Sequence, residues 1–143
     1  MKLLLVYLSL ILISVSLFSQ NYFISEQDAL KAFPKKDVYK TKSGWIISKV
    51  DTLHFGHGSL PDKSFSFIKA QINGRTMSLP GSYSGRIAEI ANFYILGNKQ
   101  SGYYVSARIK TGDPFRFNID LENAIAAGEI EPPEEFKTRT TSN

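Results

Sequence analysis

Asp51, His54 and His57 stand at successive steps of three, and three groups of this type could ligate zinc. On a helix that spacing would gather them on one face. Here the segment runs as a strand into the glycines Gly56 and Gly58, and steps of three along a strand alternate sides. A metal site at Asp51, His54 and His57 would need a convergence that the spacing alone does not supply. The expected roles are a strand position for His54 and an exposed loop for His57, with no metal and no cofactor.

The run Gly56-His57-Gly58-Ser59 could present backbone amides to an anion. It lacks the lysine, the length and the following helix of a phosphate-binding loop, so its glycines are read as a turn between two strands. Nucleophilic catalysis finds no better footing. There is no cysteine and no G-x-S-x-G elbow, and Ser59, beside the histidines, has no orienting carboxylate nearby in sequence. The residues therefore favour a binding or structural role over an enzymatic one. A small hydrolase or an inhibitor-like domain is the alternative, and it would require His54 or His57 to meet a carboxylate in a pocket.

Aromatic and basic residues mix through the second half of the chain: Tyr83, Phe93, Tyr94, Tyr103 and Tyr104 with Arg75, Arg86, Lys99, Arg108 and Arg116. That combination suits stacking and anion contact, although rings in a small domain chiefly build core. The formal charge is +4, seventeen Lys and Arg against thirteen Asp and Glu. This excess is too small to argue for nucleic acid, and none is expected as a partner. Lys31, Lys35, Lys36, Lys40 and Lys42 crowd one stretch. Asp120, Glu122, Glu129, Glu131, Glu134 and Glu135 occupy another that has no basic residue. Both are read as solvated faces.

The opening Met1-Lys2 followed by the apolar run Leu3 to Phe18 has the layout of a cleavable secretory signal over residues 1–19. At sixteen residues with no basic flank behind it, the run falls short of the roughly 20 needed to span a bilayer. No stable membrane insertion is expected after cleavage, and a periplasmic or secreted location follows. With no cysteine, neither disulfides nor a lipid-modified terminus can hold the mature chain. Packing alone must do so.

Residues 20–43 read as an N-terminal helix and a basic linker. Ser25 can cap, Glu26 and Asp28 fill the first turn, and Pro34 ends the helix. Residues 44–130 read as one β-rich domain with a C-terminal helix. Its clearest local feature is Asn73-Gly74, a favoured two-residue hairpin turn. This turn sets Ile68 opposite Leu79, Lys69 opposite Ser78, Ala70 opposite Met77 and Gln71 opposite Thr76. Gly44 to Phe55 reads as a long strand bent near Ser48 to Asp51. The segment from Arg86 to Leu96 fits helix or strand spacing, with its first half leaning to helix. Asp120 can cap a helix from Leu121 to Ala127, closed by Gly128. Residues 131–143 read as a disordered tail.

The expected fold is α+β, mainly antiparallel β: a small five- to six-stranded barrel flanked by short helices. By element order alone it resembles an OB-fold, with an SH3-like barrel or meander as alternatives. On an OB-like barrel the ligand surface would lie on the middle strands and adjoining loops, here Lys63, Lys69, Gln71, Thr76, Ser78 and Lys110. The functional expectation is an exported, non-enzymatic binding or structural module of a bacterial envelope. Its partner would be an envelope or extracellular protein, or a glycan.

Overall fold

The computed structural model describes residues 22–137. The expected signal segment and the last residues of the expected tail lie outside them. The chain forms helix α1 (Glu26–Lys31) and strands β1 (Val38–Lys40), β2 (Ile46–Ser48), β3 (Thr52–Phe55), β4 (Ile68–Ile72), β5 (Arg75–Ser78), β6 (Ile87–Asn98), β7 (Gly102–Lys110) and β8 (Arg116–Asp120). Helix α2 (Leu121–Ala126), strand β9 (Ile130–Glu131) and helix α3 (Glu134–Lys137) follow.

Seven strands curl into a half-barrel in the order β5-β4-β8-β7-β6-β3-β9, with every pair antiparallel. β1 and β2 pair separately as a ribbon. The α+β, mainly antiparallel reading stands. This strand number and order do not carry the OB-like or SH3-like assignment.

The β4–β5 hairpin follows from its turn. Asn73 and Gly74 both take positive φ, 51° and 75°, and pair Lys69 with Ser78, Ala70 with Met77 and Gln71 with Thr76, as the type I′ geometry requires. Three of the four residues of its expected apolar face, Ile68, Ala70 and Leu79, are buried, whereas Met77 on the edge strand β5 is 50% exposed.

The helical leaning of Arg86 to Leu96 is corrected. It is the longest strand, β6, and it pairs with β7 through a register shift between Ile90 and Asn92. Before the shift Ala88 and Ile90 face the core; after it Phe93 and Ile95 do so. One extra residue at Ala91 switches the apolar parity, and a parity switch mimics helical spacing. The expected bend near Ser48 to Asp51 becomes a full break. Asp51 accepts from the Ser48 amide at 2.7 Å and separates β2 from β3, which lie in different sheets. The basic linker likewise contains structure, since Tyr39 of β1 is fully buried between exposed lysines. At the other end Glu131 still pairs with His54, and Glu134–Lys137 form a helical turn.

The core lies on one face of the half-barrel. Leu53, Phe55, Ile68, Val105, Ile109 and Ile119 contribute the sheet side, and Leu121, Ala124 and Ile130 join them from α2 and its exit. At about 25 cal/mol per Å² of apolar surface removed from water, each such side chain stabilises the fold by roughly 2 kcal/mol. Alternation then dictates that Lys69, Gln71, Ser106, Asn118 and Asp120 project from the opposite face, where the site is built.

Candidate functional site

That opposite face holds a depression of about 390 Å³ between β4, β8 and β7. Its lining includes Tyr22, Phe67, Lys69, Tyr104, Ser106 and Asp120, with Gln71, Thr76 and Asn118. Each polar member is delivered by strand period. Lys69 and Gln71 alternate with Ile68 and Ala70, and Asn118 and Asp120 alternate with Phe117 and Ile119. Pairing of Lys69 with Asn118 and of Ser106 with Asp120 brings the three strands' polar residues side by side. Tyr22 arrives from the N-terminal side, where Phe23 bridges to Tyr103 through hydrogen bonds of 2.6 and 2.9 Å. Its ring meets that of Tyr104 edge to face at 5.7 Å.

Asp120 ends β8 and precedes α2. One carboxylate oxygen, Oδ2, accepts from the Asn123 side-chain amide at 2.7 Å. The other, Oδ1, is buried and has no hydrogen-bond partner. Burial pushes its carboxyl above the usual aspartate value; Asn123 and the charge of Lys42 pull it partly back, and Glu122 adds to the rise. The same charge is felt around it. Burial and then the Asp120 carboxylate raise the hydroxyls of Tyr22 and Tyr104, while Asn123 lowers Tyr22. An unpaired buried acceptor forfeits its hydration with no return, so this oxygen is the polar atom on this face least provided for by the fold.

Two other acids in the same stretch are provided for. Glu129, fully buried, accepts at Oε1 from the Ser59 hydroxyl (2.5 Å), the Ser59 amide (3.2 Å) and the Ser66 amide (2.5 Å), and at Oε2 from the Phe67 amide (2.9 Å). Glu122 Oε1 accepts from the Tyr39 hydroxyl at 2.5 Å and from the Lys42 amide at 2.9 Å. Burial followed by the Glu122 charge drives the Tyr39 hydroxyl far above its ordinary value. Reading these glutamates as a solvated face is therefore corrected. They are internal pegs that tie the loop before β4 and the β1–β2 ribbon to α2 and its exit. Sequence gave no sign of this, because the partners lie 62 to 83 residues away.

Of the residues expected on a ligand surface, Lys69, Gln71 and Thr76 line the depression. Ser78 lies beyond it on the same hairpin, in a hollow with Leu60, Ser64 and Met77. Lys63 borders a separate hollow with His57. Lys110 ends β7, paired with Arg116 and Glu89. Asp51 and His54 share a third hollow with Trp45 and Glu131, apart from His57. Among the described residues no group of three or more His, Cys, Asp or Glu side chains gathers as metal ligands would.

The glycine loop has a structural reason for its composition. A Cβ on Gly56 would stand 2.0 Å from the Gly128 carbonyl oxygen, and one on Gly58 would stand 1.9 Å from that of Lys63. The Ser59 amide is taken by Glu129, which leaves this loop no anion cradle there. The carboxylate that meets Ser59 is thus a buried, amide-bonded peg. Sequence reasoning missed Tyr22, Phe67, Ser106 and Asp120 as site members. The parity of Arg116, Asn118 and Asp120 on β8 was the available signal.

No protein-family model matches the chain, and no curated protein and no solved structure matches it. The site is read from its own geometry.

Proposed function

We propose that this chain is an exported, non-enzymatic binding module of a bacterial envelope, and that the sheet face opposite the core recognises its partner. Export rests on the apolar run Leu3 to Phe18 behind Lys2. Binding rests chiefly on one observation: a depression lined by aromatic rings and hydrogen-bonding side chains, with a carboxylate oxygen the fold leaves unpaired. A concave site with apolar walls and a few convergent polar groups is the ordinary form of a small-ligand pocket.

The non-enzymatic part rests on the sequence, which holds no cysteine and no nucleophile elbow; the Asn123 amide holds Asp120 in place. A volume of about 390 Å³ suits one sugar residue, one or two amino acids, or the end of a protein segment. The test is nuclear magnetic resonance of the mature chain, residues 20–143, titrated with envelope glycan fragments, amino acids and short peptides. Shifts should centre on Ser106, Asn118 and Thr76, and Thr76→Trp, which fills the rim at an exposed position, should remove them. Shifts centred on His54 or His57, or turnover of a hydrolysable probe, would favour the hydrolase alternative.

A further inference from the structure

We infer that the depression takes a ligand bearing a primary ammonium group, whose nitrogen is received by Asp120 Oδ1 beside the Tyr22–Tyr104 ring pair. This deepens the binding reading above and depends on it. Three observations of different kinds converge on that chemistry. Oδ1 is buried with no donor, whereas both oxygens of the buried Glu129 and Oε1 of Glu122 are bonded. An ammonium carries three donors and full charge, so it satisfies the oxygen with a charge-assisted bond. The walls beside it are two tyrosine rings in edge-to-face contact, and aromatic faces attract cations. Among the described residues no basic side chain hydrogen-bonds Oδ1. The charge of Lys42 acts on Asp120, but its Nζ lies over the Phe23 ring, 5.3 Å from the centroid, and Oδ1 still lacks a donor.

Lys69 also lines the depression, on the strand beside β8. A ligand with its ammonium toward Asp120 can therefore direct an oxygen-bearing end to Lys69. Amino acids, short peptides with a free N-terminus and non-acetylated amino sugars share this chemistry. Since Oδ1 is enclosed in the free protein, the ammonium reaches it by displacing a wall. Tyr22 would give by side-chain rotation, since the Phe23–Tyr103 bridge next to it holds its backbone to the sheet.

The probes are glucosamine and alaninamide, each against its N-acetylated form, titrated into the mature chain while amide and tyrosine ring resonances are followed. Each amine should bind about tenfold or more tighter than its acetylated partner, the loss expected when a buried charge pair forfeits one member. The preference should vanish in Asp120→Asn, which keeps an oxygen for the Asn123 amide. Response to glucosamine alone points to an amino sugar, and response to alaninamide alone to an amino acid or peptide. Equal or better binding of the acetylated forms at Ser106 and Thr76 would overturn the ammonium inference and leave the binding module standing. An amine preference that persists in Asp120→Asn would overturn it as well. If no probe perturbs this face at tens of millimolar, while a neutral glycan does, the inference falls alone. If nothing perturbs it, both readings fall.

Discussion

Glu129 and Asp120 lie nine residues apart on either side of α2, both withdrawn from water, and the fold treats them differently. Glu129 receives four donors from the loop before β4. Asp120 receives the Asn123 side chain at Oδ2, with the Asn123 backbone amide also favouring its charge, and keeps Oδ1 unpaired. A buried carboxylate that is fully bonded holds segments together, because each bond to a charged acceptor contributes about 1.5–3 kcal/mol. One left half-bonded does less for folding, and its second oxygen is the one the proposed ligand would take. Glu122 takes the Tyr39 hydroxyl and the Lys42 amide both at Oε1 and stands between the two.

The largest effect is expected at Glu129. Glu129→Ala strips three amides and a hydroxyl of their acceptor and should destabilise the chain by about 3 kcal/mol or more, read as the shift in a urea unfolding curve. A loss under about 1 kcal/mol would mean that the peg is ornamental. Tyr39→Phe tests the second peg at one bond. It should cost about 1–2 kcal/mol and leave the depression's ligand response intact, because Tyr39 is no part of its lining.

Asp120→Asn should behave in the opposite sense. With its carboxyl raised by burial, the folded chain keeps the Asp120 proton at pH values where the unfolded chain, near pH 3.9, has released it. Asp120 therefore lowers stability as pH rises through the window between the unfolded and the raised folded value. The stability of Asp120→Asn relative to the parent should climb across that window and level off above it. A flat difference across that range would place the carboxylate in an environment as favourable as water. The smallest effect belongs to His57→Ala, at an exposed loop position outside both acid networks. It should alter stability by no more than about 0.5 kcal/mol and leave ligand shifts at Ser106 and Thr76 unchanged.

Local rules made much of the scaffold legible. Asn73-Gly74 fixed the β4–β5 register, and Ser25 caps α1 by accepting from the Asp28 amide. Gly128, at φ 74°, ends the turn after α2 with Ile130 buried behind it. Where a rule depends on unbroken period it misled, as in β6, whose register shift at Ala91 changes the buried parity. The site was half legible for the same reason. Alternation on a firm hairpin brought Lys69, Gln71 and Thr76 into the depression, whereas Ser78 and Lys110 share that face by parity but lie beyond its lining, and Lys63 belongs to a loop. Buried acids were illegible, since an acidic run near the C-terminus looks solvated until partners from residues 39 to 67 are placed around it.

Whether the fold leaves the Asp120 carboxylate unsatisfied is read from the titration of the side-chain carboxyl carbons of residues 20–143 by nuclear magnetic resonance. The Asp120 carbon should titrate above the ordinary aspartate range in the free protein and move back toward it when an amine ligand is bound. An Asp120 that titrates at or below the ordinary range in the free protein would mean that its carboxylate is already satisfied, and the account would be wrong.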